Sequence, residues 1–242
     1  MRRGLCGLIL VLLEDFLDQF RARKPGQLTL NIHRNLGKAL ELLPCSRVIH
    51  MLRDPRDVAR SCIGMGWAGT LYHGISQWIE TEKDWENAAP GIDHSKHIQL
   101  TYEDLIRDTQ GELVRVCGFV GVAFEPQMLR YHENTTYAEP DLSLIEQWRR
   151  KSSAKELTQV EYRVARMMQD RGYQLSQPVI KPGGLELFQL SMVNRSRKWR
   201  MAIDRYGVGL FLQELLTRRL GLRGLHRHFA ARKRALDTEY LK

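Results

Sequence analysis

Apolar positions recur along this chain with two periods, which predict a mixture of helices and strands. Between residues 5 and 20 they recur at helical spacing, and Glu14 and Asp15 follow the apolar run directly. This favours an amphipathic helix over a signal peptide. A continuous apolar run at 47–52 is typical of a strand buried in a parallel sheet, and residues 97–102 predict a second strand. Further helices are predicted over 35–43, from about 55, and over 70–89, 109–120, 125–131 and 154–171.

The alternation of strand and helix predicts an α/β fold with a parallel sheet flanked by helices. Proline and glycine near residue 180 mark a linker. We therefore predict an α/β domain over residues 1–177, a linker over 178–184 and a helical extension over 185–242. A capping box is predicted at 109–112, where threonine is followed three residues later by glutamate.

The positive charge of the 242-residue chain is concentrated in the extension. The net charge is +9, and residues 181–242 hold 14 Lys/Arg against 5 Asp/Glu, so the remainder of the chain is neutral. The extension also carries leucines at helical spacing with interleaved aromatic residues. A solvated helix face, an anionic acceptor and peripheral contact with a membrane surface all remain open for it. Nucleic-acid binding is not expected, because no recognised motif accompanies the charge.

The four cysteines give no sign of a metal or redox site. They form no CxxC pair and no histidine cluster accompanies them, so no metal ion is expected. Unpaired cysteines among apolar residues are typical of a reducing compartment, which predicts a cytoplasmic protein. The sequence predicts no oligomeric state.

The segment Arg-Asp-Pro-Arg-Asp at 53–57 marks the transition from the first strand to a helix. Asp54 is suited to the N-cap, Pro55 to the first helical position, and Asp57 to contact with the N-terminal amides. Ligands bind beyond the carboxyl ends of parallel strands, where Arg53 ends this strand. Its guanidinium matches phosphate oxygens, and Ser61 offers a hydroxyl two turns along. The alternative is an Arg–Asp ion pair at a strand–helix junction.

The stretch LRDPRDVARS at 52–61 resembles the 3′-phosphate-binding segment of sulfotransferases that use 3′-phosphoadenosine 5′-phosphosulfate. The resemblance implies that Arg53 and Ser61 hold the 3′-phosphate of this sulfate donor. It also implies a fold like that of the phosphate-loop NTPases, namely a parallel sheet flanked by helices.

Two later segments extend the resemblance over roughly residues 30–175, and the pattern is nearest to the bacterial branch of the family. Residues 97–125 are similar to a strand, a YEDL segment and a helix of these enzymes, which places Tyr102 near the adenine. Gln-Trp-Arg at 147–149 resembles a late segment in which basic residues close over the nucleotide, which implies a nucleotide contact for Arg149.

One family motif, a loop of the form [KR]-[ST]-G-[ST]-T that holds the 5′-phosphosulfate, does not occur before Arg53. We therefore expect the sulfotransferase-like domain to be truncated at its N-terminus, either by a misplaced start codon or as a natural fragment. The chain alone is expected to be feeble or inactive, because sulfuryl transfer depends on positioning and charge stabilisation. His33 is the candidate general base, and the alternative is a surface or capping histidine.

These features predict a sulfotransferase that moves a sulfuryl group from the nucleotide donor to a hydroxyl or amine acceptor. The acceptor itself is not predicted. The alternative is a non-catalytic remnant or binding module whose basic tail contacts an anionic partner. Another phosphate-loop transferase, such as a kinase, is a third possibility that the absent loop weakens equally.

Overall fold

The computed structural model describes residues 29–135 and 138–240. The amphipathic helix predicted between residues 5 and 20 lies outside this part of the chain. The described residues form two compact units. One comprises the residues up to Val48 together with Glu80–His97, and the other comprises Ile49–Ile79 and the residues from Ile98 onwards.

Helices dominate both units, and two short strands lie among them. The α-helices are α1 (Leu36–Leu42), α2 (Pro55–Gly64), α3 (Leu71–Gly74), α4 (Ser76–Ala88), α5 (Tyr102–Arg107), α6 (Thr109–Val120), α7 (Gln147–Lys151), α8 (Ala154–Asp170), α9 (Gly184–Arg219) and α10 (Arg223–Tyr240). The strands are β1 (Val48–Leu52) and β2 (His97–Thr101). Single 3-10 turns span Ala89–Gly91, His94–Lys96 and Leu142–Leu144, and a longer 3-10 helix spans Pro126–Asn134.

The sheet consists of β1 and β2, which are hydrogen-bonded neighbours in a parallel arrangement. The residues that follow the two strands meet at the same edge, since the backbone N–H of Asp54 donates to Glu103 at 2.9 Å. Strands and helices together confirm the predicted α/β class. The detailed likeness to phosphate-loop NTPases stays a prediction.

A core of buried apolar side chains joins α2, α3, α4 and α8. The spacing of Leu157, Val160, Val164 and Met168 places them on one face of α8, and all four are buried. The core cluster is formed by Ala59, Leu71, Ile75, Trp78, Val160, Val164 and Met168. This packing fixes α2 at the end of β1, where the candidate site lies.

Three local predictions need correction. The N-cap of α6 is Asp108, whose side chain accepts from the N–H of Gly111. The hydroxyl of Thr109 donates to the Leu105 carbonyl instead of capping the helix. The helix predicted over 70–89 is two helices, α3 and α4, and the one predicted over 125–131 is the 3-10 helix at Pro126–Asn134.

The C-terminal part of the second unit is helical, as predicted, and consists of α9 and α10. The chain bends inside α9 at Gly207, whose φ of 77° lies in the left-handed region that glycine tolerates. None of the helices in the described part of the chain has the length and the apolar content needed to cross a membrane. The boundaries predicted at 177 and 185 stay a prediction.

Candidate functional site

The candidate site lies where β1 and β2 end, and Arg53 is its central cation. The Arg53 guanidinium carbon lies 4.2 Å from the centre of the Tyr102 ring, so the structure brings these two predicted residues together. Nη2 of Arg53 donates to the carbonyl oxygen of Leu144 at 2.9 Å. Its own backbone carbonyl accepts from Nε1 of Trp78 at 3.1 Å. Hydrogen bonds therefore fix both the backbone and the side chain of Arg53 at the end of the strand.

One buried donor of Arg53 is not used by these contacts. Its Nε atom is buried and has no hydrogen-bond partner among the described residues. Buried polar groups in native proteins are rarely left without a partner, and a bound ion is one of the explanations for an exception. Arg53 thus presents a positioned guanidinium with unused donor capacity at the edge of the sheet where ligands of parallel α/β folds bind.

Arg56, the second arginine of the motif, has a different environment, because it is buried and fully paired with carboxylates. Its Nε and Nη2 donate to the two carboxylate oxygens of Asp54 at 3.0 and 2.7 Å. Its Nη1 donates to Glu161 at 2.7 Å. Burial lowers the pKa of Arg56, but pairing with Asp54 and Glu161 outweighs this effect, so its pKa is raised overall. The Arg–Asp pair considered as an alternative therefore exists, and it involves Arg56 and not Arg53.

Glu161 connects this pair to the segment that follows α8. Its carboxylate accepts from the backbone N–H and the hydroxyl of Ser176 and from the N–H of Gln177. Glu161 is fully buried, and these bonds satisfy its oxygens. Asp54, Arg56 and Glu161 thus form a buried network that ties the start of α2 to the middle of α8.

Asp57 contacts α7 and not the N-terminal amides of its own helix, which corrects the sequence-based expectation. Its Oδ1 atom accepts from the backbone N–H of Trp148 at 2.9 Å. The other oxygen, Oδ2, is buried without a hydrogen-bond partner among the described residues. Burial raises the pKa of Asp57, partly offset by the Trp148 hydrogen bond, and the carboxylate of Asp54 raises it further. The N-cap role is filled by Asp54, as predicted, since its side chain accepts from the N–H of Arg56 at 2.9 Å.

Trp148 lies between two guanidinium groups. The Arg56 guanidinium carbon is 3.4 Å from the centre of the indole, and that of Arg149 is 4.4 Å from it. Nε of Arg149 also pairs with Glu146 at 3.1 Å, and both side chains are largely exposed. The structure places Arg149 on the solvent side of Trp148, while Arg56 occupies the buried side.

Ser61 and Tyr102 lie on the helices that begin at the two strand ends. Ser61 is exposed on α2 and follows Asp57 by four residues, which puts the two on neighbouring turns of one face. Tyr102 opens α5, and burial raises the pKa of its phenol, partly offset by the Arg53 cation. The next residue, Glu103, accepts from the hydroxyl of Tyr173 at 3.1 Å.

His33 belongs to the other compact unit and precedes α1. Its side chain is exposed, and its backbone carbonyl accepts from the hydroxyl of Thr81 at 3.3 Å. The structure therefore gives His33 a surface position within its own unit and no measured relation to Arg53. In the described part of the chain, no group of three or more His, Cys, Asp or Glu side chains is placed to hold a metal ion.

The partners that hold the motif in place are distant from it along the chain. Glu161, Ser176 and the carbonyl of Leu144 all lie more than eighty residues from the motif. No local pattern marks them. Glu161, among the apolar positions of α8, was the one sign in the sequence of a distant contact. A charge on the core-facing side of a helix requires a partner.

Comparisons with known proteins agree with the motif. The model of the sulfotransferase family matches residues 14–126, a segment that includes Arg53, Ser61 and Tyr102 but not Arg149. The chain is 28% identical over 130 residues to the omega-hydroxy-beta-dihydromenaquinone-9 sulfotransferases Stf3 of Mycobacterium bovis and Mycobacterium tuberculosis. This alignment covers 46% of the chain, which spans about a third (34%) of the length of these relatives.

Two solved structures are also similar to the chain. A sulfotransferase domain from the curacin biosynthetic pathway matches with a TM-score of 0.47 and 20% identity, over 57% of this chain and 59% of that domain. A sulfotransferase domain from the olefin synthase of Synechococcus PCC 7002 matches with the same score and identity, over 56% and 55%. The family match and the curated relatives confirm the resemblance derived from the motifs, and the chain is similar to the sulfotransferase family over residues 14–126.

Proposed function

We propose that this chain carries the 3′-phosphate-binding part of a site for 3′-phosphoadenosine 5′-phosphosulfate. The observation that carries the proposal is the state of Arg53. Its guanidinium is fixed by the Leu144 carbonyl and the Tyr102 ring, yet its Nε has no partner among the described residues. An arginine held in this way offers a phosphate charge-assisted hydrogen bonds with little loss of side-chain freedom.

The buried network explains why Arg53 is the available cation of the motif. Arg56 is buried and its charge is balanced by both Asp54 and Glu161, so it is not presented to an exogenous anion. Asp54 is in turn engaged by Arg56 and does not compete for Arg53. Since the two arginines differ so sharply in pairing, a nucleotide phosphate at this edge of the sheet would bind Arg53.

The family motifs assign the remaining candidate residues to the same nucleotide. Ser61 is exposed and would add its hydroxyl to the same phosphate, as the family motif implies. Tyr102 supplies the ring on which Arg53 rests and would lie near the adenine. Arg149, exposed beside Trp148, would close over the nucleotide from α7.

The reaction proposed for the whole protein is sulfuryl transfer. An oxygen or nitrogen of the acceptor forms a bond to sulfur, the bond from sulfur to the 5′-phosphate oxygen breaks, and adenosine 3′,5′-bisphosphate leaves. The acceptor loses a proton, for which His33 is the proposed base. We assign no described residue to the 5′-phosphosulfate. The curated relatives are named for a hydroxylated dihydromenaquinone, and from this we adopt only a hydroxyl as the preferred acceptor group.

The decisive experiment compares adenosine 3′,5′-bisphosphate with 5′-AMP in a thermal shift titration of the chain. Ligand at a hundredfold over its dissociation constant adds about 2.7 kcal/mol of stability, on the order of 5–10 °C for a domain of this size. We expect this shift from the bisphosphate and a much smaller one from 5′-AMP. Arg53→Ala should abolish the difference between the two nucleotides.

Arg107→Ala is the matched control, because Arg107 is a half-exposed surface arginine paired only loosely with Asp104 at 3.6 Å. It should retain the full preference for the bisphosphate. An Arg53→Ala variant that still prefers the bisphosphate would refute the assignment. A chain that binds the bisphosphate but transfers no sulfuryl group to hydroxyl acceptors would match the alternative of a non-catalytic binding module.

A further inference from the structure

The first part of α9 has two faces with different environments. One face docks on the loop between α2 and α3. The side chain of Asn194 accepts from the Gly69 N–H at 2.6 Å, and Arg197 donates to the Gly69 carbonyl at 3.1 Å. Two turns further on, Arg205 donates to the Met65 carbonyl at 3.2 Å. These contacts fix the rotation of the helix about its axis.

The face turned away from this loop is apolar and exposed. Leu185 is 73% exposed, Phe188 63% and Trp199 41%. A step of two residues along a helix turns the direction by about 200°, so Met192 and Trp199 point away from the docked Asn194 and Arg197. We call this set the apolar stripe, and its members are Leu185, Phe188, Met192, Trp199 and Ile203.

Basic side chains flank the C-terminal half of the apolar stripe. An open groove of about 410 Å³ lies on this face and is lined by Met192, Arg195, Ser196, Trp199, Arg200 and Ile203. Arg195 and Arg200 are both exposed. Helices α9 and α10 together hold 12 Lys/Arg against 5 Asp/Glu, so most of the chain's net charge of +9 lies on them.

The bend at Gly207 extends the surface beyond the first part of α9. It allows the Phe211 ring to lie 6.1 Å from the Trp199 ring in an edge-to-face arrangement. Leu212, Leu216 and Leu220 follow at intervals of four residues and are about half exposed or more. Lys233 of α10 lies 4.9 Å from the centre of the Tyr206 ring, which joins the two helices.

We propose that the apolar stripe and its flanking arginines bind the surface of a membrane that contains anionic lipids. A helix that lies in the membrane interface presents Leu, Phe and Trp on one face and Lys or Arg beside them, so that apolar burial and attraction to anionic lipids act together. Both conditions hold here. A contiguous row of exposed apolar side chains bordered by polar ones is typical of a binding surface.

The positive charge of the chain favours a lipid surface over a second copy of the chain as the binding partner of the apolar stripe. A second copy would bring a net charge of +9 against the same basic helices, which opposes association. An anionic bilayer instead offers negative charge and an apolar interior to the same surface. The proposal does not depend on the nucleotide site, because no residue of the apolar stripe takes part in it.

The test is sedimentation of the purified chain with vesicles of phosphatidylcholine alone and with 30% phosphatidylglycerol, in about 0.1 M salt. We expect binding to the anionic vesicles only. Arg195→Gln with Arg200→Gln should weaken it about 30-fold, since each cation at an anionic surface contributes about fivefold. Phe188→Ser should weaken it at least about fivefold.

Matched controls separate this surface from general effects of charge and apolarity. Arg107→Gln with Arg166→Gln removes the same charge from exposed positions on α5 and α8. Leu142→Ser removes a side chain that is 63% exposed, as Phe188 is. Both control proteins should bind as the wild type does, and melting temperatures should show that every variant is folded.

Three results would overturn the proposal. The wild type could ignore anionic vesicles. The control pair could lose as much binding as the Arg195 and Arg200 pair, which would mean general attraction of a basic protein. Finally, Phe188→Ser could bind normally yet convert a dimer to a monomer in analytical ultracentrifugation, which would assign the apolar stripe to an interface between copies of the chain.

Discussion

The guanidinium of Arg56 lies 3.4 Å from the centre of the Trp148 indole while two carboxylates, Asp54 and Glu161, hold its nitrogens. This single side chain therefore connects the end of β1 to α7 and α8. Because the same strand end carries the half-buried Arg53, the buried Arg56 holds the backbone from which Arg53 extends. The geometry of the candidate anion site therefore depends on the Arg56 network.

The buried network gives a prediction about stability. Glu161→Ala leaves Arg56 buried with only one of its two partners and removes the acceptor for Ser176 and Gln177. Breaking a buried ion pair by removing one partner is strongly destabilising, so we expect a loss of about 3 kcal/mol in the free energy of unfolding, measured by urea denaturation.

Glu80→Ala is the matched control for this change. Glu80 pairs with Arg34 at 3.3 Å, but both side chains are more than half exposed. Exposed ion pairs contribute between zero and about 1 kcal/mol. If the Glu161 and Glu80 variants lost equal stability, the buried network would not have the role assigned to it here.

Asp57 predicts a specific pH dependence of stability. Its pKa is raised chiefly by burial, so the folded protein holds this proton to higher pH than the unfolded chain. The ionised carboxylate therefore costs stability above the folded pKa, and the cost disappears as the pH falls towards the ordinary pKa. We expect Asp57→Asn to raise the free energy of unfolding at pH 7, by an amount that shrinks towards acidic pH in parallel urea titrations.

Asp141 provides a control of opposite sign. Hydrogen bonds from the side chain and backbone of Ser143 lower the pKa of this exposed carboxyl. The carboxylate thus adds stability above its ordinary pKa, and the contribution is lost as the pH falls through the lowered value. Asp141→Asn should accordingly lower stability at pH 7. The same sign for both variants would contradict this account of Asp57.

The contact between α2 and α3 predicts opposite effects of one substitution at two glycines. A Cβ on Gly74 would lie 2.5 Å from the carbonyl oxygen of Ala59, so the two helices would have to separate. Gly74→Ala should cost about 1–3 kcal/mol. Gly118→Ala, in the last turn of α6 with nothing within 4 Å of the added Cβ, should add up to about 0.5–1 kcal/mol. Urea denaturation of both variants measures these changes. Equal changes in the free energy of unfolding would show that α2 and α3 leave room for an added Cβ.

Local features of the fold could be predicted because their causes lie within a few residues. The start of α2 follows from Asp54 and Pro55, since a capping side chain and a fixed φ act at adjacent positions. The helix predicted over 154–171 corresponds to α8, which Ser153 and Glu156 start with a capping box. In each case the sequence specifies the geometry directly.

Interactions across the chain could not be predicted in the same way. The sequence predicts that Asp57 contacts the amides of its own helix. In the structure its Oδ1 atom instead accepts from the N–H of Trp148, 91 residues away. A carboxylate near a helix start can accept from several donors, and only the tertiary packing decides which one it meets. The pairing of Arg56 with Glu161, 105 residues apart, has the same origin.

The Tyr102 ring predicts a separate effect on nucleotide selectivity. Because the ring supports the Arg53 guanidinium at 4.2 Å, Tyr102→Leu should leave the arginine less ordered. A cation–π contact is worth about 0.5–2 kcal/mol, so the affinity for adenosine 3′,5′-bisphosphate should fall on the order of 2- to 30-fold. Tyr102→Phe keeps the ring and should bind within about twofold of the wild type.

Isothermal titration with both adenosine 3′,5′-bisphosphate and 5′-AMP distinguishes two roles of this ring. If Tyr102 acts by positioning Arg53, Tyr102→Leu weakens the bisphosphate and leaves the weaker binding of 5′-AMP nearly unchanged. If the ring contacts only the adenine, both nucleotides lose the same factor, since both contain that base. We expect the first result, because the measured contact of Tyr102 is with the guanidinium that the 3′-phosphate would bind.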